Sequence, residues 1–81
     1  MTISYKKLWK LLIDKDMRKK DLEIASGLSH YTINKLNRGE NVTTDVLAQI
    51  CITLGCDIGD IMEVIPDDKE KSRFEKSHSK Q

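Results

Sequence analysis

Histidine and cysteine are the side chains best suited to attack a bond, move a proton or hold a metal, and this chain has two of each. His30 and His78 lie 48 positions apart, and no Ser/His/Asp, Cys/His or phosphate-loop spacing accompanies either. Cys51 and Cys56 are five apart with no histidine pair following, so a zinc site is not expected. They sit among apolar residues, and buried reduced thiols are expected rather than a disulfide. The sequence therefore points away from an enzyme and from any metal or cofactor. What remains is charge. Residues 1–41 carry nine Lys/Arg against five Asp/Glu, a balance of +4, whereas residues 42–65 carry four acidic residues and no basic one, a balance of −4. A polyanion would be drawn to the first half and repelled by the second.

The elements that must position these charges are bounded by size. Eighty-one residues suffice for one domain. A domain so small buries only about 60 % of the surface of its unfolded chain, too little to wrap a deep substrate cleft. At 38 % hydrophobic, 33 % charged and 5 % aromatic residues with a single proline, Pro66, the chain reads as a soluble all-α domain with little support for β-structure. No apolar run approaches a membrane span, and Met1 to Ser4 has no secretory pattern, so a cytoplasmic location is expected. No internal repeat or low-complexity tract is present.

Five helices are expected. Ser4 to Asp16 places Tyr5, Leu8, Trp9, Leu12 and Ile13 on one face, with Ser4 as N-cap and Lys6, Lys7, Lys10 and Lys15 on the other. Lys19 to Ser26 follows, with Leu22, Ala25 and Ile24 inward, and Gly27 ends it. Ser29 caps a third helix through Asn37, carrying Ile33 and Leu36 and closed by Gly39. Thr43 or Thr44 caps a fourth, in which Leu47, Ile50, Cys51 and Leu54 share a face up to Gly55. Asp57 and Asp60 form a capping-box-like pair opening a last short helix to about Val64, stopped by Pro66. Residues 1–65 thus form the domain, and residues 66–81, whose one apolar residue is Phe74, form a charged, mobile tail.

Two short helices joined by a glycine turn, with one helix before and two after, make a helix-turn-helix arrangement. Taking Lys19 to Arg38 as a twenty-residue unit, Leu22, Gly27, Leu28, Ile33 and Leu36 fall at its fourth, ninth, tenth, fifteenth and eighteenth places. Those are the places where a steep helix crossing around a tiny core needs apolar residues and a turn glycine. The stretches Lys20-Asp21-Leu22, Ala25-Ser26-Gly27-Leu28-Ser29, Thr32-Ile33-Asn34-Lys35-Leu36 and Cys56-Asp57-Ile58-Gly59-Asp60-Ile61-Met62-Glu63 resemble the Cro/repressor (XRE) family of lambda-repressor-like DNA-binding domains over about residues 4 to 64. The resemblance implies a five-helix fold, and a transcriptional regulator, with repression the expected mode, that acts as a homodimer. One departure is Glu23 at the fifth place, often a small residue; Ala25 or Ser26 is expected to supply the close contact instead.

In such domains the second helix of the motif enters the major groove with its N-terminal residues against base edges. Here that implies base contacts from Ser29, His30, Tyr31, Asn34 and Lys35. Lys35 can donate to guanine O6 or N7, Asn34 can pair with an adenine edge, and the Tyr31 ring can lie on a thymine methyl. His30 can donate to a base or, protonated, to a phosphate. Lys19, Lys20, Arg38, Asn41 and Thr43 are placed for phosphates. The expected partner is double-stranded DNA with a near-palindromic operator, with no membrane and no small-molecule ligand. The apolar set Ile58, Ile61, Met62 and Ile65 is the expected dimer surface. The competing reading is a protein-interaction module on the same fold, such as an antitoxin or anti-repressor; steep salt dependence of duplex binding separates the two.

Overall fold

The computed structural model describes residues 1–69 of the chain. Strand β1 (Thr2–Ser4) leads into α1 (Lys6–Asp14), α2 (Lys19–Ser26), α3 (His30–Asn37) and α4 (Thr44–Leu54); a single 3-10 turn, Ile58–Asp60, then leads to β2 (Glu63–Ile65). Among the described residues four α-helices up to Leu54, rather than the expected five up to Val64, surround one core of Tyr5, Leu8, Leu12, Leu22, Ile33, Leu36, Leu47, Ile50, Cys51, Leu54 and Ile61.

Helix α1 forms because Leu8 and Leu12 stack one turn apart on its buried face while Lys6, Lys7 and Lys10 remain in water. It starts later than the sequence suggests. Ser4 belongs to β1, and its hydroxyl accepts from the Lys6 N–H at 3.3 Å as Tyr5 takes the N-cap place. Ile13 is 72 % exposed, because one residue beyond Leu12 the helix has rotated by about 100° away from the Leu8–Leu12 line that meets the core. That turn puts Asp16 in the left-handed region at φ 56°, and the Met17 N–H closes back on the Leu12 carbonyl at 2.8 Å.

Helix α2 begins where the Asp21 carboxylate accepts from the Arg18 N–H at 2.8 Å. It ends at Gly27, whose φ of +72° is available to glycine at little cost and is strained for any other residue. Of its expected inward residues only Leu22 is buried; Ile24 and Ala25 face solvent. Ser26 takes the inner place instead, because its hydroxyl donates to the Leu22 carbonyl at 2.6 Å and accepts from the Leu28 N–H at 3.3 Å, so no polar group is buried alone. Ser29 and Thr43 cap α3 and α4 by accepting from the N–H groups of Thr32 and Val46.

The chain after Gly55 differs from the expected fifth helix. Asp57 and Asp60 do form the reciprocal cap, with the Asp60 carboxylate accepting from the Asp57 N–H at 2.9 Å and Asp57 accepting from Ile58 N–H at 2.8 Å. One 3-10 turn follows and the helix goes no further. Pro66 disfavours helical backbone at Ile65, and the β-branched Val64 and Ile65 suit extended chain. They pair antiparallel with β1, Thr2 opposite Ile65, Ile3 opposite Val64 and Ser4 opposite Glu63. The small two-stranded sheet was not expected. Of the expected tail, residues 70–81 lie outside the described residues, Phe74 among them.

Candidate nucleic-acid interface

Helix α3 buries Ile33 and Leu36, leaves Thr32, Asn34 and Lys35 half-buried, and exposes His30, Tyr31 and Asn37. The cap on Ser29 fixes the start of that helix: its oxygen accepts from the Thr32 N–H at 3.1 Å and lies 2.9 Å from the Thr32 hydroxyl. This engagement makes Ser29 a cap first, with its oxygen already bonded. Tyr31 is 68 % exposed, and the Lys35 ammonium sits 5.8 Å from its ring centroid, so ring and cation form one outward unit one turn in length. Asn34 stands half-buried beside them. His30, the first residue of α3, places Nδ1 at 2.9 Å from the Glu23 carboxylate of α2.

Lys19 and Lys20 project from the start of α2. The Lys19 ammonium bonds to the Asn37 side chain and lies 4.5 Å over the Trp9 ring, tying α1, α2 and α3 together at one point. A shallow cleft of about 220 Å³ between α2 and α3 is lined by Lys19, Lys20, Glu23, His30 and Asn34, among others. Arg38, beyond α3, pairs with Glu40 and holds that carboxyl below the usual carboxylate range. Asn41 is exposed in the same loop, which is pinned from beneath by the buried Tyr5, whose hydroxyl donates to the Glu40 carbonyl at 3.0 Å. Thr43 caps α4, and Asp45 fills the first turn of that helix with negative charge, which disfavours a phosphate there.

The structure thus gathers His30, Tyr31, Asn34, Lys35, Lys19 and Lys20 on the α2–α3 side. The four residues expected to form the dimer surface are not exposed together. Ile61 is fully buried, while Ile58 and Met62 pack half-buried against the core, because the chain bends inward at the 3-10 turn. Only Ile65 of the four is exposed, beside exposed Val64. Sequence reasoning passed over Glu23, Asn37 and Trp9 as partners of the interface. Glu23 stands at a place often held by a small residue, and in the structure its carboxylate meets His30 of the next helix.

A helix-turn-helix whose second helix is apolar inward and polar outward, flanked by lysines, has the geometry of a DNA-binding motif. Residues 7–67 match the Cro/C1-type HTH DNA-binding domain family. The chain belongs to this family. It is similar to the crystal structure of the transcriptional regulator VanUg, form II, at 53 % identity and a TM-score of 0.78, over 82 % of this chain and 88 % of that one. No curated protein matches it significantly. This Cro/C1-type chain is a DNA-binding domain. Among the described residues no group of three or more His, Cys, Asp or Glu could hold a metal, and no helix is long and apolar enough to cross a membrane.

Proposed function

We propose that the chain regulates transcription, as a repressor, by laying α3 in the major groove of a specific duplex. The observation that carries this reading is the two-sided α3: Ile33 and Leu36 hold it to the core while Tyr31, with Lys35 over its ring, stands free in water. Lys35, Asn34, Tyr31 and His30 are the base-reading set, and Ser29 fixes the angle at which that helix starts. Lys19 and Lys20 neutralise phosphates on one flank, and Arg38 and Asn41 on the other, with Arg38 exchanging Glu40 for phosphate on binding. Thr43 contributes through the cap of α4. The similarity to a transcriptional regulator supports the regulatory assignment.

We further propose that two copies bind a near-palindromic operator, since one short helix reads few base pairs and two recognition helices about 34 Å apart read enough for selectivity. The decisive experiment is a salt-titrated binding assay on duplex from upstream of the gene and on random duplex. Log affinity should fall linearly with log salt on both, by about 0.9 per phosphate neutralised, with a constant excess for the specific duplex. Equal affinity for the two duplexes would remove the base-reading claim, and a flat salt response would remove DNA binding altogether.

A further inference from the structure

Among the described residues, the contact between Glu23 and His30 joins the two helices of the motif through titratable groups. Nδ1 of His30 lies 2.9 Å from Oε1 of Glu23, across seven residues and the Gly27 turn. The carboxylate is the better buried partner, its side chain 26 % exposed against 76 % for the imidazole, so Glu23 is the fixed end and His30 the presented one. The chemistry of the contact is decided by hydrogen counting. An ionised carboxylate only accepts, so the nitrogen facing it must carry a proton. A neutral imidazole has one N–H, which leaves the other ring nitrogen, Nε2, with a lone pair and no proton.

We propose that Glu23 is a positioning residue for base selection: it fixes neutral His30 as the Nδ1–H tautomer, so that Nε2 meets the major groove as an acceptor. An acceptor there pairs with the amino group of cytosine N4 or adenine N6 and is repelled by guanine N7 and O6 and by thymine O4. This inference rests on the proposed reading of α3 as the recognition helix, and it reverses the donor role that an isolated histidine at this place suggests. The charged groups sharing the cleft with His30 are Glu23, Lys19 and Lys20, all on α2. The two lysines donate only and cannot take the Nδ1 proton, so neither competes with Glu23 for the contact. Asn34, on the same helix as His30, lines that cleft too and is neutral, leaving Glu23 as its acceptor of fixed charge.

Two measurements on the full chain test the assignment, both at a pH of about 8.5, where free imidazole side chains are neutral. Nitrogen-15 chemical shifts of the His30 ring read the tautomer without DNA. The wild type should show a protonated Nδ1, and Glu23→Ala should move the proton toward Nε2. Selection of duplexes from a randomised library then reads the base preference. The wild type should favour cytosine or adenine at one position by roughly five- to tenfold, the worth of one hydrogen bond to a base edge, and both Glu23→Ala and His30→Ala should flatten that position to within about twofold. If Glu23→Ala fails to fold, Glu23→Gln keeps the size without the charge and should still lower the Nδ1–H fraction. A protonated Nε2 in the wild type overturns the proposal, as does a tautomer unmoved by either variant. A library preference unchanged by His30→Ala overturns its base-selecting half. Failure of every variant and the wild type to bind duplex would instead refute the proposed function, while the ring shifts would still decide whether Glu23 sets the tautomer.

Discussion

Lys35 and Lys19 carry the same charge, yet the fold holds them differently. Lys35 stands over the Tyr31 ring on the outward side of α3, whereas Lys19 is tied to Asn37 and Trp9 at the edge of the motif. Lys35→Ala should therefore weaken specific binding by about 1–3 kcal/mol and relax preference at one base pair. Lys19→Ala should weaken all duplexes alike and make the salt slope shallower by about 0.9. Equal losses on random and specific duplex for Lys35→Ala would move the base-reading residues elsewhere. Tyr5 acts at the same scale from inside the core. Its hydroxyl donates to the Glu40 carbonyl, so Tyr5→Phe leaves that carbonyl unpaired and should cost roughly 1 kcal/mol of stability, read from denaturant melts. Burial pushes the Tyr5 hydroxyl above its ordinary pKa. The folded state then keeps a proton that the unfolded state releases, so this residue's contribution is intact below the unfolded value near 10 and is lost as pH rises through the folded one. The alkaline fall in stability should be smaller in Tyr5→Phe.

At the scale of elements, the turn between α1 and α2 holds strain that can be removed. Asp16 sits at φ 56°, a conformation costing a residue with a side chain about 1–2 kcal/mol, partly offset by the greater freedom glycine loses on folding. Asp16→Gly should raise stability by about 0.5–1 kcal/mol, and a lower thermal midpoint would show that the Asp16 side chain stabilises the turn. Elements whose signals are local were legible in the sequence. Gly27, Gly55, Ser29 and Thr43 announce ends and caps through a few neighbouring residues, and α2, α3 and α4 are where those signals place them. The ribbon was illegible because Ile3 and Val64 become strand residues only by meeting each other, a pairing between the two ends of the domain. Asp57 and Asp60 announced a cap correctly, yet a cap does not state how long its helix runs, and Pro66 and the β-branched pair decided that. For the interface the same division holds. Types and spacing placed Tyr31, Asn34 and Lys35 on the outer side of α3, where Tyr31 is exposed and the other two are half-buried, while the bonds that orient His30 and Lys19 cross between helices and leave no periodic trace.

On the scale of the whole molecule, we propose that residues 1–65 are the folding unit. Asp67 pairs with the Met1 amino group at 3.9 Å, both groups exposed, and an exposed pair contributes about 0–1 kcal/mol. Deletion from Asp67 onward should leave the thermal midpoint nearly unchanged, and loss of cooperative melting would make the tail structural. The proposed assembly draws on the same ribbon. With Ile61 in the core, the apolar residues available to a second copy on this side are Val64, 54 % exposed, and Ile65, 45 % exposed, together with Met1. Val64 and Ile65 belong to the stretch 42–65 that carries no basic residue, while Ile65 shares a surface cleft with Lys19, Asn37 and Arg38, so a dimer built there would adjoin the C-terminal end of α3. Val64→Lys places a charge where the folded monomer already meets water, so its melting should be close to wild type while its self-association and its affinity for a two-site operator fall together. Ile61→Lys should instead unfold the chain, because that charge would enter the core with no partner. Sedimentation equilibrium with and without operator separates the cases: a wild type that stays monomeric to about 100 μM and saturates at one chain per site refutes the dimer, and a dimer untouched by Val64→Lys places its surface elsewhere.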